Sequence, residues 1–352
     1  MIDRVNDRKL AHIRVIQEDA ESDRERNYFD RVRLTHRALP ELNLKALDSS
    51  TVFMDKRLTF PLLISCMTGG DHAVLRTVNR NLATAAERCG VAMGVGSQRV
   101  MFTTPAARAS FELRAWAPTA LLFGNLGAVQ LNHGFTTAMC REAVEVVGAD
   151  ALCLHLNPLQ EAVQPEGETN FAGLAGRIGT VMAELGRPVI IKEVGAGISL
   201  ADARLLAARG VRYIDVAGSG GTSWSRIEAQ RQPQGGARAL GELFQDWGVP
   251  TPEALLALRP LRAQVTPIAS GGIRNGLDMA KAVVLGAALC GVARPFLEPA
   301  MESAEAVVAV VERLRREFVT AMFLLGTGTV GDLCGNLALL SEPPTLAGGG
   351  AP

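Results

Sequence analysis

The sequence lacks the features of a disulfide-stabilised, membrane-spanning or nucleic-acid-binding protein. Only six of its 352 residues are cysteine and no two form a C-x-x-C pair, so we expect reduced core thiols. No apolar run is long enough to span a bilayer, and the amino-terminal MIDRVNDRKL has no signal-peptide core. The 36 basic and 36 acidic residues cancel, so no net field favours nucleic acid or an anionic membrane. We therefore expect a cytoplasmic protein that binds any anion through local groups.

What the sequence does contain is a regular alternation of short apolar segments with helical ones. Hydrophobic residues make up 48% of the chain, enough for one large core. Eight segments have the apolar composition of buried parallel strands, at 61–67, 91–96, 120–127, 151–156, 188–195, 213–221, 266–273 and 288–295. Helical periodicity fills most of the intervals, at 75–89, 137–147, 171–185, 200–209, 252–258, 276–285 and, after the last strand, 300–325. This order predicts an α/β fold, a single-domain (β/α)8 TIM barrel; an open doubly wound sheet is the alternative.

The domain boundaries follow from changes in composition along the chain. Residues 1–50 are polar and rich in arginine, and they predict a lead-in with a short helix from Asp7 to Ala20 that contributes to the substrate site. Residues 51–335 form the barrel. Residues 336–352 end in a stretch rich in proline and glycine, which predicts a flexible tail.

Polar side chains follow the fourth predicted strand in the stretch DALCLHLNPLQEAVQ, which covers residues 150–164. His155, Asn157, Gln160 and Glu161 all lie at its carboxyl end. In α/β barrels this end of the strands carries the active site, so these four are candidate functional residues. A solvated strand end capped by asparagine is the alternative.

The seventh and eighth predicted strands end in small residues that suit a phosphate. Ser270-Gly271-Gly272-Ile273 allows close approach of backbone amides, and Gly276 opens the next predicted helix. Ala293-Arg294 ends the eighth strand, and Thr222 follows the sixth within a glycine-rich loop. We expect a phosphate site here, because barrels often place one after strands seven and eight.

Two further features indicate a ligand with a flat ring. Lys192 lies in an otherwise apolar strand, where an ammonium requires an anionic partner such as a flavin edge or a phosphate. A pair with Glu193 is the alternative, although successive strand residues face opposite sides. A further segment after the first strand is Met67-Thr68-Gly69-Gly70. It offers a threonine hydroxyl and a glycine backbone that a flat ring could approach closely. The alternative is that it forms only a tight turn.

A second anion site is predicted from basic residues in two places. Ser97-Gln98-Arg99 ends the second strand, and the arginine fork matches phosphate oxygens. Arg8, Lys9 and His12 lie within one turn of the predicted first helix, where a solvated basic face is the alternative. Glu161 would be a carboxylate near this second anion site. Because a carboxylate beside a diphosphate needs a bridging cation, we expect Mg²⁺ to bind at Glu161.

The motifs MTGG, GSQR, HLNPLQE, KEVG, GSGGTSW, SGGIRNG and ARP occur in that order, after an RK pair with a following histidine. Together they resemble type 2 isopentenyl diphosphate isomerase, the flavin-dependent form, from about Arg8 to about Gly331. HLNPLQE and MTGG with GSQR are specific, whereas SGGI and KEVG are shared with other FMN barrels. One departure is Cys66 beside MTGG, where alanine is expected.

The resemblance implies roles for particular residues. Gln160, His155 and Asn157 form the catalytic group, and Glu161 binds Mg²⁺. The substrate is bound by residues before the first strand and after the second and fourth, namely Arg8, Lys9, His12, Ser97, Gln98, Arg99 and Gln160, of which Gln160 faces the isoprenoid carbons. FMN is bound by residues at the ends of strands one to three and five to eight, namely Met67, Thr68, Gly69, Ser97, Asn125, Lys192, Thr222, Gly271, Gly272, Ile273, Ala293 and Arg294.

The implied activity is the conversion of isopentenyl diphosphate to dimethylallyl diphosphate, with reduced FMN as acid and base and NADPH as its reductant. The implied assembly is a homo-tetramer or homo-octamer. Two alternatives are an FMN-dependent α-hydroxyacid oxidase or dehydrogenase on the same barrel, and a non-catalytic flavoprotein that senses prenyl diphosphate. The first requires a histidine base and an arginine after strand six, where this chain has GSGGTSW and no histidine beyond His155.

Overall fold

Eight parallel strands close into a barrel in a computed structural model that describes residues 4–342. An antiparallel hairpin precedes them, so the strands in chain order are β1 (Thr51–Phe53), β2 (Lys56–Leu58), β3 (Leu62–Ile64), β4 (Ala92–Gly94), β5 (Leu122–Gly127), β6 (Ala151–His155), β7 (Val189–Lys192), β8 (Tyr213–Asp215), β9 (Thr266–Ser270) and β10 (Leu289–Val292). Strand β10 pairs back onto β3, so the closed barrel is confirmed and the open sheet is excluded.

Helices connect the strands and form the outer layer. They are α1 (Arg4–Glu18), α2 (Ala73–Cys89), α3 (Thr137–Val147), α4 (Pro158–Val163), α5 (Leu174–Glu184), α6 (Leu200–Ala207), α7 (Trp224–Gln230), α8 (Gly236–Leu243), α9 (Thr251–Leu258), α10 (Gly276–Val284), α11 (Arg294–Glu302), α12 (Ala304–Leu325) and α13 (Val330–Leu333). None of the helices in this part of the chain is long and apolar enough to cross a membrane.

Local capping explains where several helices begin and end. Helix α3 has the predicted bounds because the Thr136 side chain accepts from the Met139 amide at 3.4 Å and Gly148 ends the helix at φ 64°. The predicted helix at 300–325 is two helices. Ser303 has an extended backbone and its hydroxyl accepts from the Ala306 amide at 3.1 Å, so it ends α11 and caps α12.

The β1–β2 hairpin fills the amino-terminal end of the barrel, a feature that the sequence pattern did not predict. Phe53 joins the interior cluster, and its ring centroid lies 6.4 Å from that of Phe123 and 5.4 Å from that of Tyr213. Lys56 bonds the backbone just before β5 and pairs with Asp150 before β6 at 2.9 Å. Because apolar rings fill this end, the barrel interior is accessible from the carboxyl ends of the strands.

The lead-in belongs to the body of the barrel. Ile13 on α1 packs against Leu75 and Leu297, and Arg294 donates to the Ile16 carbonyl at 3.1 Å. The chain is also folded beyond the predicted tail start at residue 336, because the Ser341 amide donates to the Arg33 carbonyl at 3.0 Å. Residues 343–352 of the predicted tail lie outside the described residues.

We expect Gly276→Ala to destabilise the fold. A methyl group there would lie 2.3 Å from the Leu314 carbonyl oxygen and the Phe318 nitrogen of α12, and backbone atoms cannot yield as a flexible side chain can. Overpacking of this kind costs about 1–3 kcal/mol. The control is Gly176→Ala in α5, where no atom lies within 4 Å, and it should be neutral or slightly stabilising. Urea unfolding of both variants measures the difference, and equal midpoints would contradict the prediction.

Candidate active site

A cavity of about 340 Å³ opens at the carboxyl ends of the barrel strands, beneath α1. It is lined by nearly all of the predicted site residues, namely Arg8, Lys9, His12, Met67, Thr68, Ser97, Arg99, Asn125, His155, Asn157, Gln160, Glu161, Lys192, Thr222, Gly271, Gly272, Ile273, Ala293 and Arg294. Its volume falls in the range of small-molecule sites. Residues from α1 to α11 therefore converge on one place.

Gln98 and Gly69 do not line the cavity. The prediction that Gln98 contacts substrate is wrong for this structure, because its side chain is 0% exposed and serves the backbone. Its amide nitrogen donates to the Ala143 carbonyl at 2.8 Å, and its oxygen accepts from the Asn125 amide at 2.9 Å. Gly69 lies against Phe111, whose ring would be 2.3 Å from any β-carbon there. Both residues support the cavity wall from behind.

Lys192 lies in the floor of the cavity beside a buried carboxylate. It pairs in register with Asp215 on β8. Burial lowers the pKa of Lys192, but the negative groups around it, of which the Asp215 carboxylate is the strongest, together raise that pKa above its usual value, so the ammonium stays charged. Asp215 is held in turn by the Ser270 hydroxyl, which donates to it at 2.7 Å. The negative group near Lys192 in this structure is Asp215, which the sequence pattern did not identify, and the flavin or phosphate partner stays a prediction.

The alternative pairing of Lys192 with the Glu193 carboxylate does not occur. Lys192 donates to the Glu193 backbone carbonyl instead. The Glu193 carboxylate accepts from the amides of Val194 and Gly195 at 2.6 Å and from Ala196 at 2.5 Å. The Glu193 carboxylate therefore stabilises the loop after β7 and forms no ion pair with Lys192, which lines the cavity.

Two hydroxyls on the same side of the cavity have no partner among the described residues. Ser65 Oγ and Thr68 Oγ1 are both buried and both line the cavity. A buried hydroxyl without a partner is destabilising, so such groups indicate where a polar ligand binds. Ser65, which the sequence reasoning missed, could have been recognised as a polar residue at the end of an apolar strand.

The glycine-rich loops after β8 and β9 pack backbone against backbone. Gly271 has φ 91° and Gly272 has φ 79°, and a β-carbon on Gly271 would lie 2.1 Å from the Gly218 oxygen. Only glycine fits there, which leaves bare backbone facing the cavity. The expectation that the helix opened by Gly276 caps the phosphate is wrong, because the Gly276 amide donates to Glu317 at 2.7 Å. The helix end at the cavity is that of α11, at Arg294 and Pro295.

Three predicted cations line another part of the cavity: Arg8 and Lys9 on α1 and Arg99 after β4. Arg8 donates to the Gln164 side chain at 3.3 Å and lies 3.9 Å from Glu166. Burial, together with the neighbouring charge of Arg8, lowers the pKa of Lys9 to about 8. This half-buried lysine is therefore largely charged at neutral pH and becomes neutral as the solution turns alkaline.

Glu228 on α7 is a fully buried carboxylate at this end of the barrel, and the sequence reasoning missed it. It accepts from Gln160 at 2.8 Å, lies 3.0 Å from His12 Nε2 and pairs with Arg231. Burial alone would raise the pKa of Glu228, but the His12 bond and the charge of Arg231 outweigh it and lower the pKa to about 2. Because His12 is buried in this group, the alternative of a solvated basic face on α1 is excluded.

His155 is neutral in this environment. Burial and the nearby charge of Lys192 lower its pKa to about 3. Asn125 donates its amide nitrogen to the Val95 carbonyl at 3.1 Å, which directs its oxygen to His155 Nδ1 at 2.9 Å. Nδ1 is therefore the protonated nitrogen, and Nε2 is left as an acceptor.

Glu161 is buried and fully hydrogen-bonded. One oxygen accepts from Asn157 at 2.8 Å, and the other accepts from Gln164 at 2.8 Å and from the Glu168 amide at 2.7 Å. Across residues 4–342 no group of three or more histidine, cysteine, aspartate or glutamate side chains could hold a metal. A metal at Glu161 would therefore need ligand oxygens from a bound phosphate.

Comparison with known proteins agrees with this arrangement. A family model described as FMN-dependent dehydrogenase matches residues 158–339. A solved flavocytochrome b2 variant with sulfite bound superposes with a TM-score of 0.69 at 19% identity, over 94% of this chain and 80% of that one. The barrel and its polar cavity thus place the chain in the class of FMN-dependent barrel proteins.

Closer relatives cover nearly the whole chain. An isopentenyl-diphosphate delta-isomerase of Paracoccus zeaxanthinifaciens is 55% identical over 95% of this chain and 97% of its own length. One of Hydrogenovibrio crunogenus is 51% identical over 96% of this chain and 98% of its own length. The chain belongs to the isopentenyl-diphosphate delta-isomerase family, as the sequence motifs predicted.

We expect anion binding in the cavity to weaken with rising pH. Lys9 is charged below its pKa of about 8 and loses that charge above it, so affinity for inorganic diphosphate should fall roughly tenfold as the pH passes through this value. Lys9→Arg stays charged and should show a smaller fall, which separates the lysine from titration of diphosphate itself. Calorimetric titration of both proteins measures the effect, and parallel pH profiles would contradict it.

Proposed function

We propose that the protein is an isomerase that converts isopentenyl diphosphate to dimethylallyl diphosphate, using FMN held at the barrel floor and Mg²⁺ beside the diphosphate. The observation that carries this proposal is the division of one cavity into two polar regions. One has unpartnered hydroxyls, bare glycine backbone and a charged lysine. The other has three cations and a buried carboxylate. The family relationship supplies the substrate class.

The floor region fits FMN. Lys192 offers a fixed positive charge, and the hydroxyls of Ser65 and Thr68 are without partners among the described residues. The glycine loop at Gly271 and Gly272 leaves room for phosphate oxygens beside backbone amides. Thr222, Ala293 and Arg294 complete this part of the lining. FMN, when bound in its reduced form, would supply the acid and base chemistry that no side chain here offers.

The second region fits a diphosphate joined by Mg²⁺. Arg8, Lys9 and Arg99 supply positive charge, and Ser97 lies beside them in the lining. Glu161 already holds its place through three N–H donors, so it can contribute a carboxylate oxygen to a metal without rearrangement of the loop. Mg²⁺ commonly binds through one or two carboxylates plus substrate phosphates.

Gln160 lies in the wall of the cavity. Its amide nitrogen donates to Glu228, which fixes the side-chain orientation. The Glu228 carboxylate is ionised through the whole neutral range because its pKa is about 2. We assign to Gln160 the orientation of the substrate carbons, and to neutral His155 and to Asn157 supporting hydrogen bonds in the same wall.

The site disfavours hydroxyacid oxidation. That reaction needs a histidine base after strand β8, and the sequence has no histidine beyond His155. His155 itself is the last residue of β6, and its Nδ1 is engaged by Asn125. The solved flavocytochrome b2 resembles this chain in fold alone. A purely sensing role is disfavoured by the ordered Gln160–Glu228 contact, which a binding protein would not require.

Other parts of the proposal concern the wider context of the enzyme. We propose NADPH as the reductant of the flavin and the cytoplasm as the compartment. We propose a homo-tetramer or homo-octamer as the assembly. Leu243 at the end of α8 is 76% exposed and Trp247 shortly after it is 63% exposed, which supports burial of this surface between subunits.

The test is an isomerase assay on purified protein. It should contain FMN, and after dithionite reduction it should interconvert the two prenyl diphosphates without consuming NADPH in each turnover. Release of FAD on acid treatment would contradict the cofactor assignment. Oxidation of a hydroxyacid with no isomerisation would favour the oxidase alternative.

Gln160 and Glu161 should respond differently to substitution. Glu161→Gln weakens a metal ligand, so the Mg²⁺ concentration required for activity should rise and high Mg²⁺ should restore part of the rate. Gln160→Ala removes an orienting contact, so kcat should fall at every Mg²⁺ concentration while FMN and diphosphate still bind. A Mg²⁺ titration of kcat for both variants distinguishes these results.

If added metal restores Gln160→Ala and not Glu161→Gln, the two roles are exchanged. Full activity in both variants would mean that the loop after β6 is not the site, and the isomerase proposal would be wrong.

A further inference from the structure

Glu168 forms a closed pair with Arg99 behind the cavity wall. The two terminal nitrogens of Arg99 donate to the two Glu168 oxygens at 2.9 and 2.8 Å, which is the bidentate geometry that fixes a guanidinium plane. The side chains are only partly exposed, at 28% for Arg99 and 19% for Glu168. An arrangement this complete differs from a mobile surface ion pair, which contributes little.

The position of the two side chains relative to the cavity differs. Arg99 lines the cavity, whereas Glu168 does not. The carboxylate therefore holds the guanidinium from the side away from the ligand space. An arginine has five N–H donors, so the remaining donors of Arg99 stay available to an anion in the cavity.

Glu168 is itself held by two further contacts. Gln130, a buried residue in the cavity wall, donates its side-chain amide to Glu168. The Glu168 backbone amide donates to the Glu161 carboxylate at 2.7 Å. The main chain of Glu168 thus serves the proposed metal ligand, while its side chain serves the proposed diphosphate ligand.

We propose that Glu168 is a positioning residue for the diphosphate: it fixes the Arg99 fork so that the guanidinium meets the anion without first losing conformational freedom. The proposal rests on the proposed function and extends it to a residue outside the cavity. Preorganisation of a long, flexible side chain raises affinity because the entropy of ordering it is lost on folding and not on binding.

The direction of the change in diphosphate affinity distinguishes a positioning role of Glu168 from a purely electrostatic one. Removal of a negative charge near an anion site would, through Coulomb attraction alone, strengthen anion binding. Loss of a positioning contact weakens it. We therefore expect Glu168→Ala to raise the dissociation constant for inorganic diphosphate roughly tenfold, less than the roughly 10- to 150-fold loss expected for Arg99→Ala.

The experiment is a double-mutant cycle on the FMN-loaded protein, with inorganic diphosphate and Mg²⁺ as the probe in calorimetry. Glu168→Ala should weaken binding in the wild-type background and have little further effect in Arg99→Ala, because its role acts through that side chain. Tighter binding in Glu168→Ala, no change, or fully additive losses would each overturn the proposal.

Two further variants control for folding and surface charge. Glu168→Gln keeps an acceptor for Arg99 and should lose less affinity, so it carries the test if Glu168→Ala does not fold. Glu142→Ala breaks a surface pair with Arg108, in which the two side chains are 42% and 45% exposed, and should leave binding unchanged. Equal losses in Glu168→Gln and Glu142→Ala would overturn the proposal.

The Mg²⁺ concentration required for activity provides a further test. A general structural defect would change it, whereas loss of the positioning contact would not. Because the backbone of Glu168 holds Glu161, the half-saturating Mg²⁺ concentration should stay the same in Glu168→Ala while the KM for isopentenyl diphosphate rises. A shifted Mg²⁺ requirement would overturn the positioning role. Failure of the proposed function would appear separately, as wild-type protein that binds diphosphate and does not isomerise.

Discussion

The structure depends on a charged lysine at the end of an apolar strand. Lys192 is buried at the end of β7, where an ammonium would be unstable without the Asp215 carboxylate on the next strand. Asp215 in turn needs the Ser270 hydroxyl, and Ser270 begins the glycine loop that faces the cavity. The charge at the floor and the glycine loop are therefore linked through Asp215, which interacts electrostatically with Lys192 and accepts the Ser270 hydrogen bond. Phe53 fills the opposite end of the barrel interior, and these groups face the cavity at the carboxyl end.

Much of the site could be predicted because α/β barrels place all carboxyl strand ends together. Thr68, His155 and Gly271 lie at the carboxyl ends of three different strands, yet their convergence needs only the strand order. Gln98 was misassigned because it begins a 3₁₀ turn, in which neighbouring residues project to different sides. It turns inward to the backbone, whereas Arg99 turns to the cavity.

The residues that could not be predicted act through long-range pairing. Asp215 and Glu228 lie in segments whose local pattern shows only a strand and a helix. Their roles come from contacts with Lys192 and His12 that form only after the barrel closes. Glu168 is a similar case, because nothing near it in sequence indicates that it meets Arg99.

The central claim is that one cavity holds two separate anion sites, one for the FMN phosphate and one for a diphosphate. The most direct measurement is a titration of the FMN-loaded protein with inorganic diphosphate and Mg²⁺, in which calorimetry follows binding and fluorescence follows release of free flavin. One diphosphate should bind per chain while the flavin stays bound. Release of one FMN for each diphosphate bound would show that the two anions share a single site and would contradict the account.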